Sequence, residues 1–134
     1  MGSKILMIEH DSDDRWLTEE TFQAEGFPNG IEFIHEAELP AYLRKSGHRP
    51  ALIMLSLHTR LAEGLEMIKD IRRTEGYDKV PVVVLSENSL PSNVAACYAA
   101  GATSFIQKPA MYSDTLFKIK SFINYWFRTV ELPA

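Results

Sequence analysis

Short runs of apolar residues recur along the chain and predict five β-strands. The runs are Lys4–Ile8, Ile31–Ile34, Ala51–Leu55, Val80–Leu85 and Thr103–Ile106. Three of them are continuously apolar instead of alternating with polar residues. Such runs are typical of strands that are buried on both faces, as in a parallel sheet covered by helices.

Segments with helical spacing separate these strands and complete an alternating pattern. The first opens with Ser12 and Asp13 as candidate N-caps and ends at Gly26. The others are predicted at about 40–47, 63–73, 91–101 and 113–128. Five strands alternating with five helices predict the α/β class with a parallel sheet. We expect one domain over residues 1–134.

Composition narrows the possible partners and the compartment. Apolar residues make up 46% of the chain and the net charge is −4, which argues against a nucleic-acid partner. Cys97 is the one cysteine, so an intrachain disulfide is excluded and we expect a small packing residue on a helix. Because no apolar stretch approaches roughly 18 residues and the start of the chain lacks a signal-peptide pattern, we expect a cytoplasmic protein without membrane association.

Polar side chains that can take part in binding or catalysis follow the predicted strands. The carboxyl ends of parallel strands meet at one edge of a sheet, where ligands bind. We therefore expect the residues after the first, third, fourth and fifth strands to share one crevice. They are Glu9, His10, Asp11, Ser56, His58, Ser86, Lys108 and Pro109.

Four segments carry a family resemblance over nearly the whole chain. "KILMIEHDSDD", "PALIMLSLHTRLAEGLEMIKDIR", "VPVVVLS" and "YAAGATSFIQKP" resemble the signature segments of receiver domains in two-component response regulators. The ending "FINYWFRTVELP" resembles the single-domain regulators of the cyanobacterial phytochrome type. The resemblance implies a doubly wound, flavodoxin-like or CheY-like α/β/α sandwich with strand order 2-1-3-4-5.

The resemblance also implies functional positions, and two of them depart from the family pattern. In the family, two acids after the first strand help to hold Mg²⁺, and an aspartate ending the third strand accepts a phosphoryl group. Here His10 replaces the second acid and Ser56 replaces the acceptor. The other matching positions are Glu9 and Asp11 in the acidic pocket, Ser86 and Lys108 as phosphoryl contacts, Phe105 as the switch aromatic and Pro109 after a cis bond.

These two departures change the expected chemistry. The Ser56 hydroxyl is neutral and needs a general base before it can act as a nucleophile. Mg²⁺ prefers carboxylate oxygens, so we expect no cofactor, or weak Mg²⁺ binding at Glu9 and Asp11. A transition metal held by Glu9, His10 and His58 is an alternative. Lys108 either pairs with Glu9, mimics a switched state or extends into solvent.

Aromatic residues crowd the last predicted helix. Leu116, Ile119, Ile123 and Phe127 form its core stripe. We expect Phe122, Tyr125 and Trp126 to lie beside that stripe and to form an interface. The implied partners are a second copy of the chain, a histidine kinase or another signalling protein.

Three functional hypotheses follow. The first is a stand-alone atypical receiver that acts as a binding module without phosphorylation at Ser56 and without enzymatic activity. The second is a conventional phosphorelay regulator phosphorylated at another carboxylate, Asp11. The third is a hydrolase using Ser56, although the G-x-S-x-G motif is missing around this serine.

Overall fold

The computed structural model of the protein describes residues 5–27, 30–45, 47, 49–57 and 60–133. Strands and helices alternate along these residues. Their bounds are β1 Ile5–Ile8, α1 Ser12–Ala24, β2 Ile31–Ile34, a 3₁₀ turn Glu36–Glu38, α2 Leu39–Arg44, β3 Leu52–Leu57, α3 Leu61–Arg73, β4 Val82–Ser86, α4 Pro91–Ala100, β5 Ser104–Gln107 and α5 Tyr112–Arg128.

The strands of the described residues form one parallel sheet in the order β2-β1-β3-β4-β5. Ile5 of β1 is aligned with Ile31 of β2 on one side and with Leu52 of β3 on the other. The predicted α/β class and strand order are therefore confirmed. Strand order reverses between β1 and β3, and this reversal creates a crevice at the carboxyl ends of these strands.

Continuously apolar strands are explained by helices on both faces of the sheet. In β1, Leu6 and Ile8 pack with residues of α2, α3 and α4, whereas Ile5 and Met7 pack with residues of α1 and α5. Successive side chains of a strand point to opposite faces, so both sets are buried. The described part of the chain contains no helix that is both long and apolar enough to cross a bilayer.

Helix ends follow local signals with two differences from prediction. The N-cap of α1 is Asp11, whose Oδ1 accepts a hydrogen bond from the Asp14 amide at 2.9 Å, so the predicted caps Ser12 and Asp13 are wrong. The α2 helix ends at Arg44, earlier than the predicted Gly47. The α4 helix ends as predicted at Gly101, whose φ of 120° favours glycine.

The orientation of α5 corrects one predicted interface residue. Phe122 is only 4% exposed and packs against Phe22 of α1, with ring centroids 6.3 Å apart. Because α1 lies beside α5, it covers a position that the helical stripe alone placed at the surface. Tyr125 remains 52% exposed, and Trp126 is half-buried with its ring edge-on to Tyr125.

Candidate functional site

Three polar side chains from different strand ends meet at the crevice. Glu9 follows β1 directly, Ser56 lies near the end of β3 and Lys108 follows β5 directly. The Lys108 ammonium Nζ lies 2.8 Å from Ser56 Oγ and 3.2 Å from Glu9 Oε1. Parallel strand ends bring these residues together although up to 99 positions separate them in the chain. Three roles were possible for Lys108: pairing with Glu9, mimicking a switched state or extending into solvent. The structure contains the pair with Glu9.

Glu9 is a buried carboxylate, and its surroundings supply compensating donors. Its side chain is 0% exposed. Oε1 faces Lys108, and Oε2 accepts a hydrogen bond from the Asp11 amide at 3.2 Å. Removing a charge from water costs several kcal/mol unless a partner compensates it. The Lys108 ammonium is therefore part of what makes a charged Glu9 tolerable at this position.

Asp14 is a site residue that the sequence-based prediction missed. Its Oδ2 lies 2.8 Å from Lys108 Nζ, the same distance as the Ser56 hydroxyl. Helical spacing could have revealed it, because Asp14 shares one face of α1 with the buried Thr18 and Thr21. Asp14 lies in the first turn of α1 and not in the loop that directly follows β1.

The two other residues of the predicted acidic pocket lie at the surface. His10 and Asp11 are both exposed. The ring of His10 lies 6.0 Å from that of His35, and a carboxylate oxygen of Asp11 caps α1. The buried cluster consists of Glu9, Ser56, Lys108 and the partly exposed Asp14. In this arrangement the second carboxylate on the lysine comes from α1, not from the loop that follows β1.

Ser86 and Phe105 line a neighbouring cavity. Ser86 Oγ accepts a hydrogen bond from the Asn88 amide at 3.1 Å, which closes the turn after β4. Phe105 is half-buried on β5, and its amide donates to the hydroxyl of Tyr98 at 3.2 Å. Both residues border a cavity of about 200 Å³ whose walls also include Leu57. The position of Phe105 beside this cavity is compatible with the role that the resemblance implies.

The bond between Lys108 and Pro109 is trans, so the predicted cis bond is wrong for this structure: no cis peptide bond occurs among the described residues. The trans form is the ordinary preference of an X–Pro bond, by about 0.5–1 kcal/mol. The Lys108 amide donates to the Ser86 carbonyl at 2.8 Å, which ties the end of β5 to β4.

An apolar crevice of about 60 Å³ lies beside the charged cluster, between α1, α5 and the sheet. Glu9, Asp14 and Lys108 form part of its lining, and most of the remaining walls are apolar. Low local polarity strengthens charge–charge contacts. Lys118 also borders the crevice, but its ammonium donates to the Gln107 carbonyl at 2.6 Å.

Comparisons with known proteins identify the family and agree with the fold. The family model "Response regulator receiver domain" matches residues 5–120, and the chain belongs to this family of two-component signalling proteins with the CheY-like fold. The response regulator Rcp1 of Synechocystis is 25% identical over 97% of this chain and 92% of its own length.

Solved structures of two relatives superimpose closely on this chain. The phosphorylated cyanobacterial phytochrome response regulator RcpA is 27% identical, with a TM-score of 0.89 over 100% of both chains. The Mn²⁺-bound form of Rcp1 is 25% identical, with a TM-score of 0.88 over 98% of this chain and 99% of its own. The predicted resemblance to phytochrome-type response regulators is thereby confirmed.

Receiver domains bind Mg²⁺ or Mn²⁺ in their acidic pocket, and a solved structure of Rcp1 contains Mn²⁺. The described residues contain no group of three or more His, Cys, Asp and Glu side chains that could hold a metal ion. Glu9 and Asp14, the carboxylates of the cluster, both face the Lys108 ammonium. Of the alternative metal-binding set of Glu9, His10 and His58, His58 lies outside the described residues.

Proposed function

We propose that this protein is a stand-alone receiver that acts as a binding module in two-component signalling and does not use phosphoryl transfer to Ser56. The observation that carries the proposal is the hydroxyl of Ser56 at the end of β3, 2.8 Å from the Lys108 ammonium. In the family, this position belongs to an aspartate that accepts the phosphoryl group. A binding module needs the receiver fold and its surfaces, and neither depends on that aspartate.

The chemistry of a hydroxyl supports this proposal. An ionised carboxylate is a ready nucleophile and forms a reactive acyl phosphate, whereas a serine hydroxyl needs an adjacent base. Ser56 is 5% exposed, and the neighbouring Lys108 ammonium is a hydrogen-bond donor to its oxygen. An ammonium that donates to the hydroxyl oxygen cannot take a proton from it, so Lys108 in this form is not the general base that Ser56 would need.

The same contacts argue against a hydrolase built on Ser56 and Lys108. A lysine can act as a base only through a lone pair, which the ammonium form lacks. Lys108 forms ion pairs with Glu9 and Asp14, and its nitrogen is a hydrogen-bond donor to Ser56. We therefore propose a non-enzymatic role for this protein.

Phosphorylation at Asp11 is the alternative that remains. Asp11 is exposed, and its carboxylate is the N-cap of α1. A phosphoryl group on this carboxylate would compete with the cap hydrogen bond from the Asp14 amide. Modification there would therefore loosen the first turn of α1, at a stability cost of about 1 kcal/mol.

A phosphodonor assay tests the proposal. The protein is incubated with acetyl phosphate and Mg²⁺, and its intact mass is compared with that of Ser56→Ala and Asp11→Asn. We expect an unmodified wild-type chain. An adduct of one phosphoryl group that disappears in Asp11→Asn would establish the conventional alternative, and an adduct lost in Ser56→Ala would show that the serine is an acceptor.

We further propose that α5 contributes to contacts with a second copy of the chain or with a kinase. Tyr125 and Phe117 of this helix are 52% and 70% exposed, and aromatic side chains are enriched at interfaces. The net charge of −4 supports protein partners over nucleic acid, and we place the protein in the cytoplasm. Sedimentation of wild type and Tyr125→Ala tests self-association: a dimer that dissociates in the variant supports this surface.

A further inference from the structure

We infer that the apolar crevice between α1 and α5 is a binding site for a short aliphatic carboxylic acid. The crevice has a volume of about 60 Å³ and lies over the face of the sheet that these two helices cover. Glu9, Asp14 and Lys108 form part of its lining, so a molecule bound there contacts the charged cluster. Such a site goes beyond the proposed function, because it gives the protein an input that needs no phosphoryl transfer.

The crevice exists because large rings fill the space between α1 and α5 at one end only. The ring of Phe22 lies 6.3 Å from that of Phe122 and 6.2 Å from that of Phe127. Thr18 precedes Phe22 by one turn of α1, and both Thr18 and Thr115 of α5 line the crevice. Their short side chains leave open the space that the rings fill further along the helices. Atoms that border such a gap lack packing partners, and an apolar ligand supplies them.

The deepest walls of the crevice are apolar and adaptable. They include Met7 of β1, Met54 of β3, Ile106 of β5 and Ile119 of α5. Methionine is unbranched and flexible, so two of these side chains can adjust to the shape of a ligand. The volume of about 60 Å³ is roughly twice the 30 Å³ that one water occupies in the liquid. A narrow chain of a few carbon atoms therefore fits this space better than a bulky ring system does.

Lys118 places a cation at the border of the crevice and thereby selects the head group of the ligand. Its ammonium donates to the Gln107 carbonyl at 2.6 Å, and two further N–H groups of the ammonium can bind a ligand. Lys108 already pairs with Glu9 and Asp14, whereas no ion pair of Lys118 occurs among the described residues. A carboxylate complements this charge and forms charge-assisted hydrogen bonds with an ammonium.

A series of head groups tests the inference. Hexanoate, 1-hexanol and hexylamine share one carbon chain and differ in charge. Binding to the protein is measured by titration of the backbone amide chemical shifts. We expect saturable binding of hexanoate with shifts at Thr18 and Ile119, at least fivefold weaker binding of 1-hexanol, and no binding of hexylamine.

Lys118→Met tests the head-group contact separately from the apolar contact. This variant should bind hexanoate at least tenfold more weakly than wild type and should bind 1-hexanol with unchanged affinity. A general loss of structure would weaken both. Lys120→Met is the matched control, because Lys120 is exposed on the same helix and lies outside the lining, and it should bind hexanoate as wild type does.

Filling the crevice tests its location. Thr18→Leu adds volume at the wall and should abolish binding of hexanoate and of 1-hexanol. Thr18→Val keeps the shape of the threonine side chain and should retain binding of both. Thr115→Leu fills the space from α5, so the comparison survives if the Thr18→Leu variant folds poorly.

Three results would each overturn the inference. They are the lack of saturable hexanoate binding up to about 10 mM, equal affinities for hexanoate and hexylamine, and hexanoate binding that persists in both filling variants. None of these results decides whether Ser56 is an acceptor, because the phosphodonor assay measures a covalent adduct. Conversely, a phosphoryl adduct on wild type would overturn the proposed function and leave the comparison of ligands intact.

Discussion

The ammonium of Lys108 lies 2.8 Å from the hydroxyl oxygen of Ser56, and this contact joins the ends of β5 and β3 across β4. In a receiver with an aspartate at the end of β3, the corresponding partner of the lysine would carry a full negative charge. Here the charges that balance Lys108 come from Glu9 and Asp14. The negative charges next to Lys108 therefore lie at the end of β1 and on α1, and not at the end of β3.

The pair between Lys108 and Glu9 predicts strong energetic coupling. Lys108→Met should lower the free energy of unfolding by about 3–5 kcal/mol, because it leaves a buried carboxylate without its ammonium. Adding Glu9→Gln should recover at least a third of that loss. Urea unfolding of the single and double variants in the presence of a chelator measures this coupling. Strict additivity of the two single changes would contradict the pair.

Arg72 links three segments on the opposite side of the sheet. Its guanidinium donates to the carbonyls of Val80 and Gly101 at 2.6 and 2.8 Å and to the Thr103 hydroxyl at 3.1 Å. Burial lowers the pKa of Arg72 from its ordinary value, although the group remains charged at neutral pH.

We predict that Arg72→Met lowers the free energy of unfolding by about 2–4 kcal/mol, because buried carbonyls lose a charged donor. Arg73→Met is the matched control, because Arg73 is exposed and pairs with Asp70 at 3.2 Å within the same helix. That variant should stay within about 0.5 kcal/mol of wild type. Equal effects of the two changes in urea unfolding would refute the assigned role of Arg72.

Tyr77 is a position where removal of a polar group should not lower the free energy of unfolding. Its side chain is 2% exposed, and its hydroxyl has no hydrogen-bond partner among the described residues. Tyr77→Phe should leave stability unchanged or raise it by up to about 1 kcal/mol, because no bond is lost and an unsatisfied group disappears. Thermal unfolding measures the difference, and a loss above about 1 kcal/mol would reveal a hidden partner.

Tyr42 predicts a loss of stability at alkaline pH. Burial, and to a smaller extent Glu32 and Tyr77, raises the pKa of Tyr42 to about 12 from 10.0. The folded state therefore favours the neutral phenol, and this contribution is complete below pH 10 and lost as pH rises towards 12. This contribution to the free energy of unfolding amounts to about 2–3 kcal/mol. Urea unfolding between pH 9 and 12 should show a smaller decline for Tyr42→Phe, and parallel declines would disprove the assignment.

The architecture was predictable because its signals are local and repeated. Continuous apolar runs such as Leu52–Leu55 require helices on both faces, and that requirement leads to a parallel sheet. Convergence of Glu9, Ser56 and Lys108 follows from the sheet, since parallel strand ends share one edge.

The details that escaped prediction depend on how elements pack against one another. Asp14 joins the cluster because Asp11 caps α1 and thereby fixes which face of the helix points at Lys108. Phe122 is buried because α1 covers it, and the spacing within α5 contains no information about α1. Both errors concern the orientation of a helix around its own axis.

Restoring the two family carboxylates tests the account of Ser56 most directly. Wild type and the double variant Ser56→Asp with His10→Asp are incubated side by side with acetyl phosphate and Mg²⁺, and both intact masses are recorded. We predict one added phosphoryl group on the double variant and none on wild type. Equal phosphorylation of both proteins would contradict the claim that this receiver does not accept a phosphoryl group because Ser56 replaces the acceptor aspartate.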